Sequence, residues 1–465
     1  MVALALTLGG VPASAREEAT PRHGAPGVGD PYFPLDGNGG IDVRHYDVRD
    51  EYDFETGVLS GRTTLRVRAT QNLSRLDLDF LLPVDQVEVD GKPAEFDRRA
   101  GHELRISPRR TIHAGDTFRV TVSYRGRPAF ATYLGESNWL ANGHEVVAAN
   151  QPHMAPWWFP ANDHPSDKAT MDVWITVPRD HKVISNGLPV ARHVDGAVAT
   201  SHWRSTEPMA SYAAFFAAGS FAVRKGTLEG RPWIVAVSKA LRRESRSQSM
   251  AKMLETPALT AWLETQLGDY PFGSTGGVVT DLNPGFALET QSRPTFAATG
   301  PGSTTLLVHE LAHQWFGDSV SIARWRDIVL NEGFATFMEQ RWNETHGGST
   351  ADQWLDDAYE GQRQNTTFWA VRVDDPGAAK LFDGPIYLRG AMSVQALRNR
   401  VGEDDFWEII RTWLSSRAGG NGSTDDFIDL AETVSGQDLG GFFDAWWRYP
   451  TRPTKTEANG LQPDP

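Results

Sequence analysis

The sequence contains no cysteine, so disulfides and thiolate metal sites are excluded and any bound metal must use His, Asp or Glu. It also lacks an apolar run, beyond its first residues, that approaches the roughly 20 needed to cross a bilayer, so no membrane span is expected. Positive charge is short as well: 45 Lys and Arg stand against 59 Asp and Glu, a net charge of −14. A nucleic-acid surface would need the opposite balance, so no nucleic-acid partner is expected. What is present is the make-up of a soluble globular protein, 40% hydrophobic and 22% charged, with 465 residues available for two or three domains.

Residues 1–15, MVALALTLGGVPASA, join a short apolar stretch to a small-x-small ending at Ala13, Ser14 and Ala15. This pattern fits a signal peptide cut before Arg16, although it has no basic start. The expected location is secreted or extracytoplasmic, with a cytoplasmic location as the alternative. The charged and Pro-rich residues that follow predict a flexible segment over 16–40.

Between 41 and 222 the apolar residues recur with period two, as in Leu65, Val67, Ala69, in Leu76, Leu78, Phe80, and in Phe118, Val120, Val122, Tyr124. Asn186-Gly187 reads as a hairpin turn. The expectation is an antiparallel β-sandwich. From about 223 the spacing becomes helical, over 247–267 and again over 330–346, 354–365, 385–401, 404–417 and 424–434. Ser303 reads as an N-cap and Gly317 as the stop of the helix between them. A polar, Pro-rich stretch over 451–465 predicts a disordered tail. The fold class is therefore α+β and multidomain.

Within the helical half, VHELAHQWFGD (308–318) places His309 and His313 four residues apart, so both imidazoles project from one helix face and can bind one ion. Glu310 lies about 100° around from His309, beside the ion, where it can accept a proton from water. A third ligand is required, and Glu332 in NEG, at the start of the next predicted helix, supplies it if the two helices pack antiparallel. Asp318 and Asp327 are candidates for the carboxylate that fixes a histidine tautomer, against a plainer role in a loop or cap. His153 and His164 stand apart from the motif and read as structural.

HELAHQWFGDSV followed by WRDIVLNEGFATFMEQ closely resembles the aminopeptidase N family of zinc gluzincins, which includes a leukotriene-hydrolase branch. FPANDHPSDKAT, LGDYPFG and IYLRGAMSV resemble further family segments, so the likeness extends over about residues 40–450. It implies a thermolysin-like catalytic domain over 223–450 and one zinc ion per chain, held by His309, His313 and Glu332, with Glu310 as general base. Tyr387, in YLRGA where the family has Lys in place of Arg389, would stabilise the oxyanion. An exopeptidase must also bind a free amino group, and Glu289 matches the glutamate of the family's G-x-M-E-N motif, with Gln151 assisting and the Ala287 backbone pairing with substrate. Leu288, Thr290 and Phe286 depart from that motif. The substrates implied are peptides with a free N-terminus. The alternatives are a zinc endopeptidase, an epoxide-hydrolysing branch member, or an inactive binding homologue. Many family members continue into a helical C-terminal domain, and a chain stopping at 465 predicts a more open cleft.

Overall fold

A computed structural model describes residues 22–99 and 101–463. The signal-peptide expectation over 1–15 lies outside them.

The first half is built on an eight-stranded sheet whose spatial order is Leu188–Asp195, Val198–Ala210, Lys168–Pro178, Ile41–Asp53, Val58–Ala69, Thr117–Gly126, Val84–Val89 and Lys92–Pro93. Alternation works as expected here, since Val43, Val48, Leu65, Val67, Val120 and Val122 all point inward and are buried. Two four-stranded sheets complete this half. One is ordered Arg22–His23, Leu73–Asp79, Glu103–Ser107, Glu95–Arg99, and the other Trp139–Ala141, Glu145–Ala148, Phe216–Gly219, Lys182–Ser185.

The sandwich is not wholly antiparallel. Ile41–Asp53 and Lys168–Pro178 run parallel, Val48 opposite Val173. A parallel pair needs a long crossover, and more than a hundred residues of strand and turn supply it. Asn186-Gly187 also differs from the hairpin expectation. The strand before it pairs with Phe216–Gly219 and the strand after it with Val198–Ala210, so the turn carries the chain from one sheet to another. Gly187 has φ +67°, and a Cβ there would stand 1.9 Å from the Arg204 carbonyl oxygen, so both its conformation and its space demand glycine.

The second half starts with a smaller sheet, Phe221–Leu228, Arg231–Ser238, Thr275–Val279 and Thr295–Phe296, whose last two pairings are parallel. Helices Arg243–Met253 and Thr256–Leu267 divide the predicted 247–267 helix, with Pro257 in the first turn of the second, where its missing N–H costs nothing. Helices Thr304–Ala312, Val329–Thr345, Gly384–Val401, Glu403–Ser416 and Thr424–Ser435 follow.

Two segments expected to lack structure are packed. Within 22–40, Asp30 Oδ2 accepts from the Trp325 backbone N–H at 2.9 Å, and Arg22–His23 pairs with Leu73–Asp79. Within 451–463, Leu461 is buried and the Trp446 indole donates to the Asn459 carbonyl at 3.0 Å. Polar composition misled in both places, because single anchors rather than a periodic apolar face hold these segments.

Candidate active site

Helix Thr304–Ala312 ends sooner than the Gly317 stop suggests, yet His313 keeps helical backbone and its N–H bonds the His309 carbonyl at 3.2 Å. The two imidazoles therefore still share a face. Their Nε2 atoms stand 3.1 Å apart, and Glu332 Oε2 lies 3.4 Å from the first and 3.3 Å from the second. Donors placed tetrahedrally at the 2.0–2.1 Å of zinc–nitrogen bonds would be about 3.3 Å apart.

The outer ring nitrogens settle which atoms face inward. His313 Nδ1 donates to the Phe316 carbonyl at 3.0 Å, and His309 Nδ1 to Glu339 Oε1 at 2.9 Å. In the neutral rings both Nε2 lone pairs then converge with a carboxylate oxygen on one point, an arrangement that a cation at that point makes favourable. The local field agrees. Burial opposes charge on His313, but Glu332 and Glu289 lift it to about 9, while burial, overcome by His313 and His309, leaves Glu332 at about 2. The donor set fits a zinc ion.

Glu339 was not singled out from the sequence, although it lies seven residues, two helical turns, after Glu332 on the same helix. Asp318 and Asp327 do not take its role. Asp327 accepts from Thr424 and from the Arg324 N–H, and the buried Asp318 carboxylate makes no hydrogen bond to either histidine among the described residues.

Gln151, Phe286, Ala287, Glu289, Leu306, Glu310 and Tyr387 line one cleft of about 300 Å³ together with His309, His313, Glu332 and Glu339. A larger hollow of about 790 Å³ is lined by residues of the sandwich that include Lys92, Arg109, Arg110 and His113, away from this cleft. Oxygens of Glu289 and Glu310 and a ring nitrogen of His313 fall within 4.8 Å of one another. Burial pushes Glu310 up to about 8, against the pull of His309 and His313. Gln151 Nε2 donates to Glu289 Oε1 at 2.9 Å. The Tyr387 ring stacks 6.0 Å from His309, and burial together with Glu332, Glu289 and Glu310 keeps its phenol protonated, hence a donor.

Backbone contacts set these positions. A Cβ on Gly390 would lie 2.8 Å from the Gly333 Cα, so two glycines let the Glu332 helix and the Tyr387 helix touch backbone to backbone. Arg389 is fully buried and donates to the carbonyls of Trp446, Trp369, Val371 and Tyr449 at 2.7–2.8 Å. Its flat five-donor fork, which lysine lacks, ties the Tyr387 helix to two other segments. Thr290 hydrogen-bonds the Arg293 carbonyl at 2.6 Å and is buried, so this departure stiffens the Glu289 loop and leaves the cleft wall to Phe286 and Leu306, each 40% exposed. The first half of the chain reaches in too: Lys168 Nζ donates to the Asp318 and Ser319 carbonyls at 2.7 and 2.8 Å, just past the histidine helix. His153 and His164 are buried and hydrogen-bonded to Asp36 and Asp30.

Two helices delivering His, His and Glu to one point beside a small sheet, with further carboxylates lining the cleft, define a metallopeptidase fold of the gluzincin type. The Peptidase M1 N-terminal domain matches residues 43–213 and the Peptidase family M1 domain residues 295–446, and the chain belongs to peptidase family M1. Among relatives, Tricorn protease-interacting factor F2 of Thermoplasma acidophilum is 23% identical over 88% of this chain and 54% of its own length. Aminopeptidase N of Lactococcus lactis subsp. cremoris is 26% identical over 74% of this chain and 44% of its own. The chain thus spans about half the length of the curated relatives it matches. Among solved structures, the M1 zinc metallopeptidase of Deinococcus radiodurans has a TM-score of 0.83 at 28% identity, covering 92% of this chain and 98% of that one. A mutant of it bound to a Tyr-Ser-Ala substrate has the same TM-score at 27% identity, covering 92% and 100%.

Proposed function

We propose that the chain is a zinc-dependent aminopeptidase that removes one residue at a time from peptides with a free N-terminus. The observation that carries this reading is Glu289, a buried carboxylate braced by Gln151 and within 4.8 Å of the histidine site in the same cleft. A fixed anion there suits a substrate ammonium and sets the register of the scissile bond.

His309, His313 and Glu332 would hold one zinc ion, which when bound supplies Lewis acidity toward the carbonyl and acidifies a water. Glu310 takes the proton of the attacking water and returns it to the leaving nitrogen. The Tyr387 hydroxyl donates to the carbonyl oxygen as negative charge builds on it. Ala287 offers its backbone to the substrate as an added strand. Phe286 and Leu306 give the mouth of the cleft an apolar rim that favours large apolar first residues.

The likeness to a substrate-bound M1 structure and to proteins named aminopeptidases supports this over an endopeptidase, an epoxide hydrolase or an inactive binder. The test compares a short peptide with its N-acetylated form, with and without chelator. Chelator-sensitive turnover of the free peptide alone is expected, and equal cleavage of the acetylated peptide would overturn the exopeptidase reading. Export is proposed from residues 1–15 only: a secreted form beginning at Arg16 supports it, and an intact cytosolic N-terminus overturns it.

A further inference from the structure

We infer that Asp79, His102 and Glu103 form a second, enclosed divalent-cation site in the first half of the chain, of the imidazole–carboxylate type that zinc prefers.

Strands Leu73–Asp79 and Glu103–Ser107 pair antiparallel with Asp79 directly opposite Glu103. Residues opposite one another share a face, and two like charges so placed repel. Here both are buried, at 0% and 1% exposure, where isolated carboxylates are costly unless something neutralises them. His102, at 1%, sits beside them, and one donor atom from each of the three lies within 4.8 Å of the others.

The hydrogen bonding leaves these donors uncommitted. Asp79 is held by one oxygen only, Oδ2, which accepts from Asn38 Nδ2 at 3.0 Å and the Asp163 N–H at 2.7 Å. Apart from the approach of His102 to Asp79 Oδ1, that oxygen and both oxygens of Glu103 have no hydrogen-bond partner among the described residues. His102 Nε2 stands 3.1 Å from Asp79 Oδ1, which, against the effect of burial, raises the basicity of the ring, and 3.8 Å from Glu103 Oε1. Donor atoms converging at such spacings are what the His309, His313 and Glu332 site also shows between its imidazoles and its carboxylate, at 3.3 and 3.4 Å. Zinc bonds of 2.0–2.2 Å would bring ligand atoms to about 3.3–3.6 Å, between the two spacings seen around His102.

The surroundings add negative charge instead of cancelling it. Asp77 and Asp163 are buried nearby, each with an unpartnered oxygen. Among cations, Arg75 stands 3.6 Å from Asp77, Arg105 opposite Asp77 is paired with Asp97, and His153 is taken by Asp36 and Glu136. The Tyr133 ring covers His102 at 4.0 Å and closes the site from one side. Two carboxylates and a neutral imidazole balance a dication. Calcium would need six to eight oxygens, whereas one nitrogen and two oxygens suit zinc.

The experiment silences the cleft with His313→Ala and Glu332→Ala, strips metal with chelator, reloads zinc, desalts, and counts zinc per chain by elemental analysis. Two zinc ions are expected in the unaltered protein, one in the silenced protein, and none once Glu103→Gln or His102→Gln is added. No zinc in the silenced protein would overturn the site. Thermal unfolding is the second readout. The silenced protein should melt higher with zinc than with chelator, and Glu103→Gln should abolish that difference. A Glu103→Gln protein that melts higher without metal and keeps the zinc response would also sink the proposal, since the pair would then be only repulsive. Glu103→Gln in the otherwise unaltered protein should leave peptide turnover within about twofold.

Discussion

Around His309 and His313 each outer ring nitrogen has a fixed acceptor, Glu339 and the Phe316 carbonyl, so the inner nitrogens are aimed. Around His102 the outer nitrogen has no hydrogen-bond partner among the described residues. The first cluster opens on a cleft lined by Glu289, Glu310 and Tyr387, and the second lies between two strands beneath Tyr133. The same residue types thus serve two ends. An aimed and accessible cluster can do chemistry on a visitor, while an enclosed one can only hold what the strands close around. The missing brace on His102 also ranks the two, with tighter metal binding expected in the cleft.

The sharpest way to test that contrast is Glu310→Gln, which should lower kcat by about 10²–10⁴-fold while zinc content stays unchanged at both clusters, read by steady-state kinetics and elemental analysis. If turnover survives, the cleft is no more catalytic than its counterpart. Tyr387→Phe should cost about 10²–10³-fold in kcat with little change in KM, because its hydroxyl is asked to act on charge that develops during reaction. Glu339→Gln should weaken zinc in the cleft by about 10–100-fold and leave the strand cluster untouched, measured by competition with a chromogenic chelator. The smallest effect concerns the buried interior near the second cluster. Burial lowers the basicity of His153, but Asp36 and Glu136 more than reverse this and raise it to about 10. A raised value means the charged ring stabilises the fold fully below its unfolded pKa of about 6.5, and this contribution fades as pH climbs toward 10. Melting temperatures of the parent and of His153→Gln should therefore differ most near pH 6 and converge by pH 10. A constant gap would show that the ring only fills space.

Much of the cleft was legible because helical periodicity is local. His309, Glu310 and His313 share one turn, and Glu332 needs only a second helix packed on the first. The same logic would have found Glu339, two turns beyond Glu332. Strand pairing is different. Nothing in the local pattern of 41–53 announces a parallel partner at 168–178, and Asn186-Gly187 marks a sharp turn without saying between which sheets. The second cluster was hidden by alternation itself. Leu76, Leu78 and Phe80 mark an inward face, so Asp77 and Asp79 read as outward, but the segment 155–164 covers that side and all five are buried, as the Asp163 N–H bond to Asp79 Oδ2 at 2.7 Å shows. The segments 22–40 and 451–463 depend on isolated anchors such as Asp30 and Asn459, which composition does not register.

The meeting of Gly333 and Gly390 has a mechanical meaning. Where side chains separate two helices, rotamers can absorb small displacements, and the separation drifts with temperature or strain. Here there is only backbone between them, so the spacing from the Glu332 carboxylate to the Tyr387 phenol is gauged by main-chain contact, like the jaws of a closed calliper. Any added methyl at either position pries the jaws apart, and a metal ligand and an oxyanion donor would lose their common reference together.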